Sequence, residues 1–162
     1  MAGSMATGLR KAGVDVRRAR FSPLLTEEER LTYFNENEQP QLTGLALAYP
    51  TWWFNLPARM KGFFDRCFVP GVGFKYDKEL GRRTTGLQNI SRLGVATTYG
   101  FDEPTVSKAG DAGRLMLEGG MTMLMHPQVV TQWDPLYSMQ AEGGDEARAK
   151  FLVDLEAAYA KW

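Results

Sequence analysis

Tyr49-Pro50-Thr51-Trp52-Trp53-Phe54-Asn55-Leu56-Pro57 is the stretch whose reading decides the fold. A nearly continuous apolar run over residues 42–49 leads into it, the pattern of a strand covered on both faces. A helix pattern over 56–68 leads out. There Met60, Phe63, Phe64, Cys67 and Phe68 recur at the i, i+3, i+4, i+7, i+8 spacing of a buried stripe, and Pro57 is tolerated in the first turn. The stretch is therefore a turn at the C-terminal end of a buried strand, the place where open α/β sheets hold ligands. Two indoles and a phenyl sit on it between two prolines that restrict its backbone. Either the backbone N–H groups of Pro50–Phe54 meet the edge of a flat heteroaromatic ligand while Trp53 or Phe54 packs beside it, or the aromatics plug the top of the sheet. The bracketing prolines favour the first reading.

Further along, an apolar strand over 93–98 ends in Thr97-Thr98-Tyr99-Gly100. Hydroxyls, a glycine and amides at a strand end suit a carbonyl-rich ring edge, although alone they also describe a plain turn. Beside the tryptophan turn on a neighbouring strand they gain meaning as a second pocket wall. Between these walls, Pro70-Gly71-Val72-Gly73 ends the helix. Phe74 and Tyr76 follow as a lid, as a far wall contributed across a dimer, or as surface aromatics. A polar surface excursion is expected to residue 89.

The flanks complete an alternation of helix and strand. Residues 2–12 form a helix, with Met5, Leu9 and Ala12 on one face and Gly13 as its stop. A strand is expected over 14–21, broken by Ser22-Pro23. A helix then starts at the capping box Thr26…Glu29 and runs to 34, and 35–41 is a loop. After the central strand come a weak helix over 105–119 interrupted by Gly110 and Gly113, a strand over 129–133 ended by Asp134-Pro135, and an amphipathic helix over 145–162. Such alternation implies one α/β domain over residues 1–162, with a mostly parallel sheet between helices.

Composition narrows the function. Lys and Arg together number 19, as do Asp and Glu, so the chain carries no net charge and lacks the concentrated basic face of a general nucleic-acid binder. Arg17, Arg18 and Arg20 read as a solvated strand edge. Cys67 is the one cysteine and lies on an apolar helix face, a buried structural thiol suited to a reducing compartment. No signal peptide and no membrane-length apolar run are visible, so a cytoplasmic protein is expected. His126 is the one histidine, read as structural, and neither a Ser-His-Asp nor a Cys-His set can be built without it. No metal-ligand cluster is expected. What remains is chemistry supplied by a cofactor that the chain holds and orients.

From Tyr49 through Pro57 into Ala58-Arg59-Met60-Lys61-Gly62-Phe63-Phe64-Asp65-Arg66, the sequence resembles the flavodoxin-like NAD(P)H:quinone oxidoreductase family, which includes DT-diaphorase. Gly73-Phe74-Lys75-Tyr76 and Gly94-Val95-Ala96-Thr97-Thr98-Tyr99-Gly100 match in order and approximate spacing, and Trp133-Asp134-Pro135-Leu136-Tyr137 is similar to one bacterial branch. The resemblance covers most of the chain from about Gly8. It implies a three-layer sandwich, a flavin (FMN or FAD), NAD(P)H as hydride donor, a quinone-like acceptor and a homodimer. It places the flavin against Pro50, Thr51, Trp52, Trp53, Phe54, Thr97, Thr98, Tyr99 and Gly100, with the backbone of Trp53 and Phe54 near N5, and puts Phe74 and Tyr76 by the substrate. It assigns no catalytic residue. The family's first strand and its phosphate-gripping loop, with a His and a Ser, are expected to be missing here, which would leave the domain incomplete at its N-terminus. The chain also lacks, over 101–113, the Tyr and His that the DT-diaphorase branch carries after its Thr-Thr-Gly-Gly turn. Two alternatives follow: a cofactor-free regulatory or interaction module using Trp52, Trp53, Phe74 and Tyr76 as a contact patch, and an inactive truncated family member.

Overall fold

The computed structural model describes residues 1–16, 43–141 and 143–162. Its centre is a parallel three-stranded sheet in the order β1–β4–β5, formed by β1 (Gly44–Pro50), β4 (Arg92–Thr98) and β5 (Val130–Leu136). The register runs Gly44 to Arg92 to Val130 at one end and Pro50 to Thr98 to Leu136 at the other. Both apolar runs flanking the tryptophan turn and Gly100 are therefore adjacent strands, and the two turns leave the same sheet edge.

Strand periodicity divides the sheet into unlike faces. Leu45, Leu47 and Tyr49 of β1, Leu93 and Val95 of β4, and Trp133 of β5 share one core with Met60 and Phe64 of α2 (Ala58–Cys67) and with Leu117 and Met121. The opposite face is lined by small residues. Ala48 and Ala96 meet Met5 and Leu9 of α1 (Ala2–Lys11) and Leu155 and Tyr159 of α5 (Gly144–Tyr159). Gly94 also belongs to that face; a Cβ there would lie 2.3 Å from the Tyr159 hydroxyl and 2.6 Å from the Trp162 ring. Small residues on the strands thus let the bulky side chains of α5 lie directly on the backbone.

Several expectations hold. Gly13 ends α1 with φ 78°, α2 occupies the core of the predicted 56–68 helix, and Cys67 is buried, its thiol pKa raised by desolvation. His126 is a turn residue: its Nδ1 accepts the Gln128 N–H at 3.1 Å.

Four expectations change. Residues 14–16 form no strand, and the rest of that predicted strand, the capping-box helix and the 35–41 loop lie outside the described residues. The polar excursion after Phe74 is an antiparallel hairpin, β2 (Phe74–Asp77) with β3 (Arg82–Thr85). The weak helix over 105–119 divides into α3 (Glu103–Ala109), which ends on left-handed Gly110, and the short α4 (Ala112–Arg114). A π-helical segment, Leu115–Met121, and a 3-10 turn, Thr122–Leu124, continue α4. Gly113 is accommodated within α4 rather than breaking it. Finally, β5 runs on through Asp134-Pro135 to Leu136, because among the described residues it is an edge strand, where a proline costs little pairing.

The approach of α1 to α5 is tight enough to test. A Cβ on Gly8 would lie 2.4 Å from the Glu156 carbonyl oxygen, whereas one on Gly3, in the same helix, meets nothing within 4 Å. Gly8→Ala should therefore cost about 1–3 kcal/mol by overpacking, while Gly3→Ala should gain up to about 1 kcal/mol of helix propensity. Urea-denaturation midpoints measure both, and equal shifts would contradict the close packing.

Candidate functional site

The turn after β1 is closed by two backbone bonds: Trp52 N to Asn55 O at 3.0 Å and Asn55 N to Trp52 O at 2.9 Å. Its central residues, Trp53 and Phe54, have φ of 50° and 58°. Positive φ at both central positions is the mark of a type I′ turn, for which Asn and Gly are the usual residues. Two aromatics there are strained, at roughly 1–2 kcal/mol each. Phe54 is half-buried, whereas the two indoles are displayed: Trp53 is 92% exposed and Trp52 61%. Among the described residues, the N–H groups of Trp53 and Phe54 make no hydrogen bond, so two unbonded donors lie in the same turn as the two exposed indoles.

The surroundings hold this shape. Thr51 N donates to Thr98 O at 2.9 Å, and the Thr51 and Thr97 hydroxyls lie 2.9 Å apart, tying the turn to the end of β4. The Phe54 carbonyl accepts the Ala112 N–H at 3.0 Å, and the Phe54 ring stacks on Phe101 at 5.6 Å. Asn55 Oδ1 accepts the Leu56 N–H at 2.7 Å, passing the chain on toward α2.

The second wall is more inward than its sequence suggests. Thr97 is fully buried, Thr98 is buried, and Tyr99 is 2% exposed. The Tyr99 N–H is bonded to Leu136 O at 2.8 Å, its carbonyl accepts the Met139 N–H at 3.0 Å, and its ring stacks on Tyr137 at 4.9 Å. Its hydroxyl donates to Asp111 Oδ2 at 2.5 Å. Desolvation first, then this bond and the Asp111 charge, push the Tyr99 pKa far up; burial does the same for Tyr49. Of the four residues, Gly100 is the one that faces solvent.

The structure thus brings Pro50–Phe54 together with Thr97–Gly100. It does not bring Phe74 or Tyr76 to them within one chain. Among the described residues, no hydrogen bond or ring contact joins Phe74 or Tyr76 to those turns; the β2–β3 hairpin is followed by Gly86 and Leu87, bonded to Gly73 and Leu124, and by Ser91, bonded to Thr43 before β1. Within the hairpin Arg83 lies over the Phe74 ring at 5.2 Å and Tyr76 is exposed. Sequence reasoning missed Phe101, the stacking partner of Phe54, and the segment Asp111–Ala112. The signal for the latter was Asp111 after a helix-stopping glycine, the position of an N-cap, and its Oδ1 indeed accepts the Arg114 N–H at 3.2 Å. A separate concavity of about 500 Å³ lies between α3 and the π-helical segment, lined by Val106, Asp111, Arg114, Glu118 and Tyr137. Among the described residues no group of His, Cys, Asp and Glu could hold a metal ion, and no helix is long and apolar enough to cross a membrane.

Parallel strands flanked by helices, with paired turns at the strands' C-terminal edge, define a doubly wound α/β domain whose ligand side is that edge. The chain belongs to the Flavodoxin_2 family, of flavodoxin-like fold, which matches residues 8–161. Solved structures with the same fold include an NAD(P)H:quinone oxidoreductase from Methanothermobacter marburgensis, at TM-score 0.62 and 22% identity, with 99% of this chain and 85% of that one covered. The protein Smu.1420 from Streptococcus mutans aligns at TM-score 0.62 and 20% identity, over 98% of this chain and 93% of that one. An FMN-dependent NADH-azoreductase from Bacillus anthracis, solved in complex with FMN, aligns at 0.60 and 15%, over 98% and 89%. Among curated proteins none matches. At these identities the structural likeness establishes the fold.

Two outcomes test this geometry. Trp53→Gly removes the left-handed strain and should raise stability by up to about 1 kcal/mol, measured by urea unfolding. A lowered midpoint would mean that the indole packs in the core. The buried tyrosines set an alkaline limit. Below the ordinary tyrosine value of 10.0, Tyr49 and Tyr99 are neutral in both folded and unfolded chains. Above it the unfolded chain releases protons that the folded one retains, so stability falls as pH rises, by up to about 1.4 kcal/mol per pH unit per tyrosine. In Tyr99→Phe the fall should be shallower. An unchanged slope would exclude Tyr99 as a contributor.

Proposed function

We propose that this chain is a flavin-dependent NAD(P)H oxidoreductase. The observation that carries the reading is the left-handed turn at Trp53 and Phe54, with unbonded N–H donors and exposed indoles beside the end of β4. That chemistry fits the heteroaromatic end of a flavin: N–H donors for ring nitrogens and carbonyls, and aromatic faces for the ring. Pro50, Thr51, Trp52, Trp53 and Phe54 would form one wall. The 97–100 turn would form the other, with Gly100 offering backbone and the inward Thr97, Thr98 and Tyr99 fixing its course. A bound FMN or FAD would supply two-electron transfer from NAD(P)H to a quinone or similar acceptor. The chain's own part is to bind the ring, orient it and leave one face open to the two substrates in turn.

Because no contact joins Phe74 or Tyr76 to the two turns among the described residues, this reading assigns them to the substrate face of a second copy, in a homodimer. The family and the printed names of its structural neighbours support this reading, as does a buried thiol suited to the cytoplasm.

The test is reconstitution. The purified chain, incubated with excess FMN, FAD or riboflavin and then gel-filtered, should retain flavin with quenched fluorescence and oxidise NADH or NADPH only when a soluble benzoquinone is present. Riboflavin against FMN measures how much of the affinity the ring end supplies. Trp53→Ala should weaken flavin binding by about tenfold, the loss of one aromatic contact of about 1.4 kcal/mol. A chain that retains none of the three flavins would overturn the proposal.

A further inference from the structure

We infer that Tyr99 and Asp111 are a positioning pair: the Tyr99 hydroxyl, bonded to the Asp111 carboxylate, pins the short helix whose first amide sets the Trp53–Phe54 turn against the end of β4. The functional meaning of this pair rests on the reading of that turn as a flavin-ring wall.

The turn cannot place itself. Its two closing bonds, between Trp52 and Asn55, fix its internal shape but not its height above the sheet. The Phe101 ring stacks on Phe54, the Gly113 N–H makes a longer 3.4 Å contact to the Phe54 carbonyl, and two closer backbone attachments complete the placement. One is the Thr51 link to Thr98, which acts before the turn. The other acts on the turn's own apex, where Ala112 N donates to Phe54 O at 3.0 Å. Ala112 therefore controls where the two aromatics stand, and what holds Ala112 is its neighbour. Asp111 uses both carboxylate oxygens: Oδ1 accepts the Arg114 N–H at 3.2 Å and caps α4, while Oδ2 accepts the Tyr99 hydroxyl at 2.5 Å.

Tyr99 makes a firm post. Both its backbone groups are bonded into the strand ends, to Leu136 and Met139, and its ring is stacked on Tyr137. The linkage from β4 to the turn thus runs through two hydrogen bonds on consecutive residues, Tyr99 to Asp111 and Ala112 to Phe54. The fit around it is close. A Cβ on Gly113 would lie 3.3 Å from the Asn55 carbonyl carbon, so α4 sits directly against the turn. A neutral donor on a carboxylate is among the stronger hydrogen bonds, which suits a bond that must hold a strained turn.

The consequence is specific. Tyr99 is buried, yet its hydroxyl governs the 50–54 wall. Tyr99→Phe keeps the ring and its stack and removes only the O–H. Asp111→Ser keeps a good helix cap and has no second polar atom to bond the Tyr99 hydroxyl. If the pair acts as a unit, the double variant is no worse than either single variant.

The experiment reads amide hydrogen exchange in the ligand-free protein together with FMN affinity. In each single variant, exchange at the Ala112 and Asn55 amides should accelerate about tenfold, the loss of one hydrogen bond of about 1.4 kcal/mol, while Val95 and Ala96 in β4 remain as in the parent. The double variant should match the singles, and FMN affinity should fall about tenfold in all three. Unchanged exchange at Ala112 in Tyr99→Phe, a rise shared equally by Val95 and Ala96, or additive effects of the two substitutions would overturn the proposal. So would an FMN affinity equal to the parent's. A parent chain that holds no FMN would overturn the oxidoreductase reading instead, and the exchange measurements on the same proteins would still decide whether the pair holds the turn.

Discussion

The hydrogen bond from Ala112 N to the Phe54 carbonyl ties the strained Trp53–Phe54 turn to α4, and the candidate site is built on that strained turn. Phe54 and Trp53 occupy a backbone region that costs each of them roughly 1–2 kcal/mol, and no local propensity of tryptophan or phenylalanine favours it. Such a conformation persists only where the surrounding structure over-determines it. Here the determinants come from three directions: the Thr51 attachment to β4, the α4 amide on Phe54, and the Phe101 ring stacked on the Phe54 ring. Strain of this kind concentrates where a chain is selected for what it presents rather than for how well it packs. What it presents is two indoles and two N–H donors.

The rest of the architecture supplies a rigid base for that edge. The sheet's large-residue face packs under α2 and the π-helical segment, and its small-residue face lets α5 lie on the backbone. The two packings are complementary solutions to the same problem. Bulky strand residues fill the space beneath a helix that stands off from the sheet, and small strand residues admit a helix that brings its own bulk in Tyr159 and Trp162. With β4 clamped between both, its end at Thr97 and Thr98 is buried, and the more exposed 50–54 turn is tied to it through Thr51. The π-helical segment also has a use. Its wider turn follows directly on α4, and π-helical geometry recurs at functional sites; here it carries Leu117 and Met121 into the core while α4 stays against the turn.

Much of this was legible in the sequence because hydrophobic periodicity reports burial. The runs ending at Tyr49 and Thr98 read as buried strands, and the Met60–Phe64–Cys67 spacing read as a helix. The resemblance of the 49–66 segment then named the family correctly. The hairpin was not legible: Arg82-Arg83-Thr84-Thr85 shows no apolar alternation, because neither face of that two-stranded ribbon enters the main core. The extension of β5 through Asp134-Pro135 was hidden by proline's reputation as a strand breaker, which an edge position lifts. The pairing of Tyr99 with Asp111 was invisible for a different reason. It joins residues twelve apart across a helix and a glycine stop, and no periodicity connects them.

That last omission bears on how such sites are read. The sequence view assigned residues 97–100 to the ligand because they lie at a strand end, and three of the four turn their side chains inward. A strand-end motif can act on a ligand at one remove, by fixing the neighbouring turn, and its hydroxyls then belong to the scaffold. Thr97 bonded to Thr51, and Tyr99 bonded to Asp111, fit that proposed role: each spends its polar group on the 50–54 turn or the helix beside it. A site built this way separates two tasks that the motif alone confuses. The exposed aromatics are free to contact whatever is bound, while the buried hydroxyls determine where those aromatics stand.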